Sequence, residues 1–165
     1  MAELAAHDRL QPSLLERLTD NARDKSTESR EERVVSVKQL RRSVLRDLGW
    51  LMNSRPLLSD EEAEQFPEVS KSVLNFGTVD VCGLTARSMR LEQLEQQLTN
   101  AIKDFEPRLI PASLNVDMTA DSEAMNATAL KMSIVGDLWL QPLPMKMFIH
   151  TEIDVENGNA ILIEQ

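Results

Sequence analysis

Apolar residues recur along this chain with two different periods, and the change from one to the other divides it. Between Leu91 and Phe105 they fall at Leu91, Leu94, Leu98, Ala101, Ile102 and Phe105. Steps of three and four place them in one stripe along a helix, with Glu92, Gln96, Thr99 and Lys103 on the wet side. A second long helix opens at Ser36, where Ser36 and Gln39 form a capping box and Val35 can staple to Leu40. Its stripe is Val37, Leu40, Val44, Leu48 and Leu51, widened by Leu45 and Met52, and Arg55-Pro56 ends it. Trp50 is expected in the core. Gly49 costs helix stability, about 1 kcal/mol, and is expected to admit close packing. Pro67 suits the first position of a shorter helix through PEVSKSVLNFG, with Val69, Val73 and Phe76 inward and Gly77 as its stop. Ser59 to Phe66 reads as an acidic loop, and Val79 to Arg87 as a connecting one.

After Pro111 the period becomes two. Leu114, Val116 and Met118 alternate with Asn115, Asp117 and Thr119, the pattern of a half-buried strand. A turn over residues 121–126 leads to a second strand carrying Leu130, Met132 and Ile134 and running on to Leu138 or Trp139. Pro142 and Pro144 break it. The third strand, Met145 to Val155, sets Met147, Ile149, Thr151 and Ile153 on one face and Phe148 and His150 on the other. Asn157-Gly158 signals a two-residue hairpin, returning Ala160 to Ile163 as a fourth strand. Such a strand leaves an apolar edge, either free to pair with another chain or covered by the domain itself. The order predicts an α+β fold: N-terminal helices, then a mainly antiparallel three- to four-stranded sheet with helices packed on one side.

Residues 1–33 read as a tail, and 34–165 as the folded domain. In the tail, Ser13 and Glu16 form a capping box behind Pro12, and Leu14, Leu15 and Leu18 make a small apolar patch. A helix this short needs a surface, supplied by its own domain or by a partner. Residues 21–33 are polar, charged and aperiodic, as a linker would be.

The junction between the two periods holds the most informative triplet. Pro107 stops the helix and stiffens the chain between Glu106 and Arg108. A carboxylate at a helix carboxyl end is unfavourable by roughly 0.3–1 kcal/mol, whereas Arg108 is welcome there. In an extended segment the two charges share a face. They form either an incidental surface pair or a rigid charged corner that docks on a partner.

Composition narrows the classes. The 165 residues are 42% hydrophobic and 27% charged, with a net charge of −9. One globular domain fits that length. So acidic a surface disfavours nucleic acid, although Arg30, Arg33, Lys38, Arg41, Arg42 and Arg46 gather on or near the first long helix. They are a wet helix face or a patch for an acidic partner. No apolar run reaches the ~18 residues of a membrane span, and the first residues lack a secretory pattern. These features favour the cytoplasm. The single cysteine, Cys82, reads as a small core residue. No metal-ligand spacing and no phosphate-binding loop occurs, so neither a metal nor a cofactor is expected.

Three stretches carry a resemblance. Glu106-Pro107-Arg108 after a helix, PEVSKSVLNFG before it, and VKQLRRSVLRDLGWLMN resemble the contractile-tail baseplate wedge family. That family includes a wedge subunit of contractile-tailed phages and TssE of the type VI secretion system. DRLQPSLLERLTD is similar to the start of TssE proteins, and the resemblance runs from about Asp8 to Val155. It implies a non-enzymatic baseplate component joining the wedge subunits TssF, TssG and TssK and templating the first ring of the TssB–TssC sheath, on the cytoplasmic side of the inner membrane. It assigns partner binding to Glu106, Pro107 and Arg108, which would lock onto the wedge core bundle, with Leu14, Leu15 and Leu18 as further contacts. Glu106 would accept from donors across that joint. The alternatives are a phage-like contractile particle using the same fold, and a lysozyme-like peptidoglycan hydrolase. For the hydrolase, the chain is poor in sugar-stacking aromatics, with no Tyr, two Trp and four Phe. Arg108 beside Glu106 is also the wrong neighbour for a proton donor.

Overall fold

A computed structural model describes residues 13–19, 24, 36–79, 81–82, 91–120, 129–140 and 143–164. Most of the linker and the turn over 121–126 lie outside the described residues. Among the described residues, five helices precede a four-stranded sheet. They are α1 (Leu14–Leu18), α2 (Val37–Met52), α3 (Asp60–Gln65), α4 (Pro67–Ser70) and α5 (Leu91–Phe105). The strands are β1 (Asn115–Ala120), β2 (Ala129–Leu138), β3 (Met145–Asp154) and β4 (Ala160–Glu164). The fold is α+β, and the sheet is antiparallel throughout in the order β1-β2-β3-β4.

Register puts the apolar members of the alternating strands in rows across one face. Val116 pairs with Ile134 and Ile134 with Ile149; Met118 pairs with Met132, Met132 with Thr151, and Thr151 with Leu162. Leu40, Val44, Leu48 and Leu51 of α2 and Leu94, Leu98 and Ile102 of α5 join these rows in one core. A one-residue slip would turn every row to water, so burial itself pins the register. Phe148 and His150 lie on the exposed face, as the alternation requires.

Both expected capping boxes close. At α2 the Ser36 N–H donates to Gln39 Oε1 (2.9 Å), and the Gln39 N–H to Ser36 Oγ (3.2 Å). A third box, at Ser59 and Glu62, starts α3 where an acidic loop was expected. Five other expectations are corrected. Trp50 lies off the apolar stripe and is 51% exposed. Cys82 is exposed, not core. The PEVSKSVLNFG segment is two pieces, α4 and a 3-10 turn over Val73–Asn75, and Val73 at the start of the turn faces water. The β3–β4 connection is longer than two residues: the Asp154 N–H donates to Asn159 O and the Gly158 N–H to Asp154 O, with Gly158 at φ +72°. Gly49 meets nothing within 4 Å of where a Cβ would stand, so close packing is not its reason.

Gly77 is different. Its φ is +145°, and a Cβ there would come within 2.6 Å of the Ser54 oxygen and the Arg55 carbonyl carbon. This close approach lets the Thr78 N–H donate to Ser54 O (2.9 Å). Asn75 is buried beside it, accepting from the Leu58 N–H and donating to Ser70 O. The end of α2 and the PEVSKSVLNFG segment are thereby locked together.

Candidate docking site

The corner after α5 is built from both ends of the helical layer. The helix closes with the Glu106 N–H on Ile102 O (2.8 Å), and Pro107 turns the chain out. The strand-like segment behind it is held against the end of β2. The Trp139 N–H donates to Arg108 O, the Ile110 N–H donates to Asp137 O, and Leu109 bridges to Leu138. Phe105, last in α5, meets Phe76 edge to face with ring centres 5.3 Å apart. Two of the stretches that carry the resemblance therefore touch.

Glu106 and Arg108 do share a face, and they use it on each other. Arg108 Nε donates to Glu106 Oε1 (2.6 Å) and Nη2 to Glu106 Oε2, a bidentate fork. The same guanidinium reaches across to α2, with Nη2 on Asp47 Oδ2 (2.6 Å) and Nη1 on Ser43 Oγ (2.7 Å). Asp47 in turn accepts from Arg46 Nε (2.9 Å), and Arg46 lies 5.0 Å over the Trp50 ring. Burial alone would lower the Arg108 pKa. The hydrogen bonds and charge of Glu106, then those of Asp47, outweigh it and hold the group above its ordinary value. The guanidinium is a fixed cation, and it offsets the carboxylate that the helix end disfavours.

This geometry revises the role of Glu106. It is 3% exposed, and both its oxygens already accept from Arg108. It is an internal anchor and does not accept across a joint. Arg108 keeps about a quarter of its side chain exposed (25%), and Pro107 is exposed. What faces outward is a stiff, charge-paired, proline-capped corner in which Arg108 and Asp47 are equally exposed, with Trp50 and Arg46 beside them. The sequence reading missed Ser43, Asp47 and Arg46 as members of the site. They lie some 60 positions from Arg108, and no local pattern announces such a contact. Of the tail residues, Leu14, Leu15 and Leu18 are all exposed, and Leu15 also lines an apolar groove at this corner.

The model of one protein family, baseplate wedge protein gp25, matches residues 38–143. The chain belongs to that family. It is thus a structural component of a phage-tail-like baseplate. The matched range takes in α2, Gly77 and the whole corner, while α1, β3 and β4 lie beyond it. No curated protein and no solved structure matches the chain. Among the described residues no helix is long and apolar enough to cross a membrane.

Proposed function

We propose that this wedge protein is the TssE subunit of a type VI secretion baseplate, that it acts by docking without catalysing a reaction, and that it works at the cytoplasmic side of the inner membrane. The observation that carries the docking reading is the pre-organised corner. Arg108 is tied by four side-chain hydrogen bonds to three residues, so it loses little freedom on binding, yet a quarter of it stays open. Together with exposed Pro107 and Trp50 it offers a rigid plate to the helical core of TssF and TssG, with TssK joining the same wedge. The TssE-like segments favour type VI secretion over another phage-like particle, and gene neighbourhood separates the two.

The sheet edge supports a second task, templating the TssB–TssC sheath. β4 is the last strand of the sheet. Its first outward groups are taken: the Ala160 N–H donates to Asn53 Oδ1 (2.9 Å), and Asn53 Nδ2 donates to Ala160 O (3.0 Å). By antiparallel alternation Leu162 and Glu164 carry the next outward groups, where an added strand would pair. Ile161 and Ile163 lie exposed above them.

Co-purification from cells tests the docking. Arg108→Ala is the wrong probe, because it strips buried Glu106 of its partner. Pro107→Ala and Trp50→Ala change only the outward plate. We expect both to melt near wild type and to recover TssF and TssG at least tenfold less well. Undiminished recovery with both variants would overturn the reading.

A further inference from the structure

Four large apolar side chains stand in water along one stretch of the chain. Leu57 is 72% exposed, Phe66 54%, Val73 82% and Leu74 67%. The pieces that carry them are packed together: α3 touches α4, α4 touches the 3-10 turn, and the Leu58 N–H donates to Asn75 Oδ1 (2.9 Å). Single exposed apolar residues need no explanation, but a group of them on one small unit marks a contact surface. Val73 and Leu74 belong to the PEVSKSVLNFG stretch, and the core uses neither. Exposed Glu61, Glu64 and Glu68 lie among the four, with Lys71 as the cation of this stretch. The surface that fits it is apolar at its centre and basic around that centre.

The outward face of α2 has this character. Lys38, Arg42, Arg46 and Trp50 stand four apart, with Gly49 between the last two. Lys38, Arg42 and Trp50 are exposed, and among the described residues neither Lys38 nor Arg42 is in an ion pair. Trp50 supplies an apolar plate, with the Arg46 guanidinium over its ring. Gly49 leaves a notch beside that ring, with nothing within 4 Å of where a Cβ would stand. Its cost to the helix is not offset by any packing inside the subunit. The two surfaces do not meet within one chain. The Thr78 N–H on Ser54 O ties the apolar stretch to the carboxyl end of α2, and Arg42 lies roughly 18 Å further up the helix axis. Among the described residues no ion pair joins Glu61, Glu64 or Glu68 to Lys38, Arg42 or Arg46.

We propose that the free subunit associates head to tail, the apolar stretch around Phe66 and Leu74 of one copy seated on the cationic, Trp50-bearing face of α2 of the next. The contact joins two different surfaces, so copies add into a ring or an open chain. It is weak, because the apolar group is small and the charges around it are solvated. This goes beyond the docking reading. Both contacts use Trp50, so they exclude one another, and the self-contact belongs to the subunit before assembly. Its test uses the purified chain alone and leaves Pro107 and Trp50 intact, so its failure does not touch the capture of wedge partners.

The test is sedimentation equilibrium of the full chain at about 0.05 M and about 0.5 M salt. At low salt we expect the average mass to rise above the monomer by about 0.1 mM, and the association constant to fall about tenfold at high salt. Two charge-reversed chains dissect the contact: Lys38→Glu with Arg42→Glu, and Glu61→Lys with Glu64→Lys. All four positions are exposed, and thermal melts check that each chain is folded. Each reversed chain alone should stay monomeric. Their equal mixture should associate again, because one supplies an intact acidic stretch and the other an intact α2 face. Both remain net acidic, so bulk attraction between them does not produce that recovery. Leu74→Asp adds charge of the favourable sign, so the loss of about tenfold in association that we expect from it reports the apolar contact. A wild type that stays monomeric up to about 0.5 mM at low salt, undiminished association in either reversed chain or in Leu74→Asp, or a mixture that stays monomeric would each overturn the proposal.

Discussion

Two of the motif-bearing loops of this wedge protein meet at the Phe76–Phe105 contact but are held by opposite means. At Gly77 the backbone passes so close to residues 54–56 that no side chain fits. The hold is steric, neutral and inward. At Glu106-Pro107-Arg108 the hold is a fork of charge spanning α5 and α2, with part of the cation left in water. At Gly77 the first loop is committed to structure. The second is fixed as firmly yet still has a surface to offer. An anchored residue is not thereby excluded from binding, since rigidity is what lowers the cost of being bound.

The comparison can be broken at either end. Gly77→Ala combines a conformation foreign to L residues with contact against backbone that cannot move aside. It should lower stability by about 3 kcal/mol or more in chemical denaturation. Arg108→Ala should cost about 3 kcal/mol, because Glu106 is left buried without its cation. Adding Glu106→Gln should recover a large part of that loss. Additive losses in the double mutant would mean that the two side chains are not coupled. Gly49→Ala should act in the other direction and stabilise by roughly 0.5–1 kcal/mol, since α2 gains propensity and nothing stands in the way of the methyl.

The smallest effect is a matter of pH. The Glu62 carboxyl is held below its ordinary value by the Ser59 backbone N–H and then by the Ser59 hydroxyl. Its contribution to α3 is present at neutrality and is lost as pH falls through that lowered value. Protection factors in α3, corrected for the intrinsic pH dependence of exchange, should therefore fall in acid before the core opens, and Glu62→Gln should flatten that response.

Much of this architecture was legible beforehand. The stripes of α2 and α5 and the alternation of β1 to β3 are local patterns, and burial fixes how they are read. Where reading failed, the cause was of two kinds. For α3 the signal was present in Ser59 and Glu62, and the acidic composition masked it. Trp50 was expected in the core, although its place beside the stripe of Leu48 and Leu51 turns it outward. The burial of Glu106 is the other kind. Its partner Arg108 is held by Ser43 and Asp47, a helix and several loops away in sequence, and no spacing rule reports a contact that only the assembled core creates. The triplet was recognisable as a motif, but its inward half was not.

The central claim is that this corner is set by its own chain and still meets a neighbour. Hydrogen exchange followed by mass spectrometry, on the free subunit and on the subunit within a purified wedge, measures this without any mutation. The account predicts added protection on assembly in residues 46–50 and 105–109, with the segment around Gly77 equally protected in both states. Unchanged exchange at the corner, with protection gained elsewhere on the subunit, would contradict it.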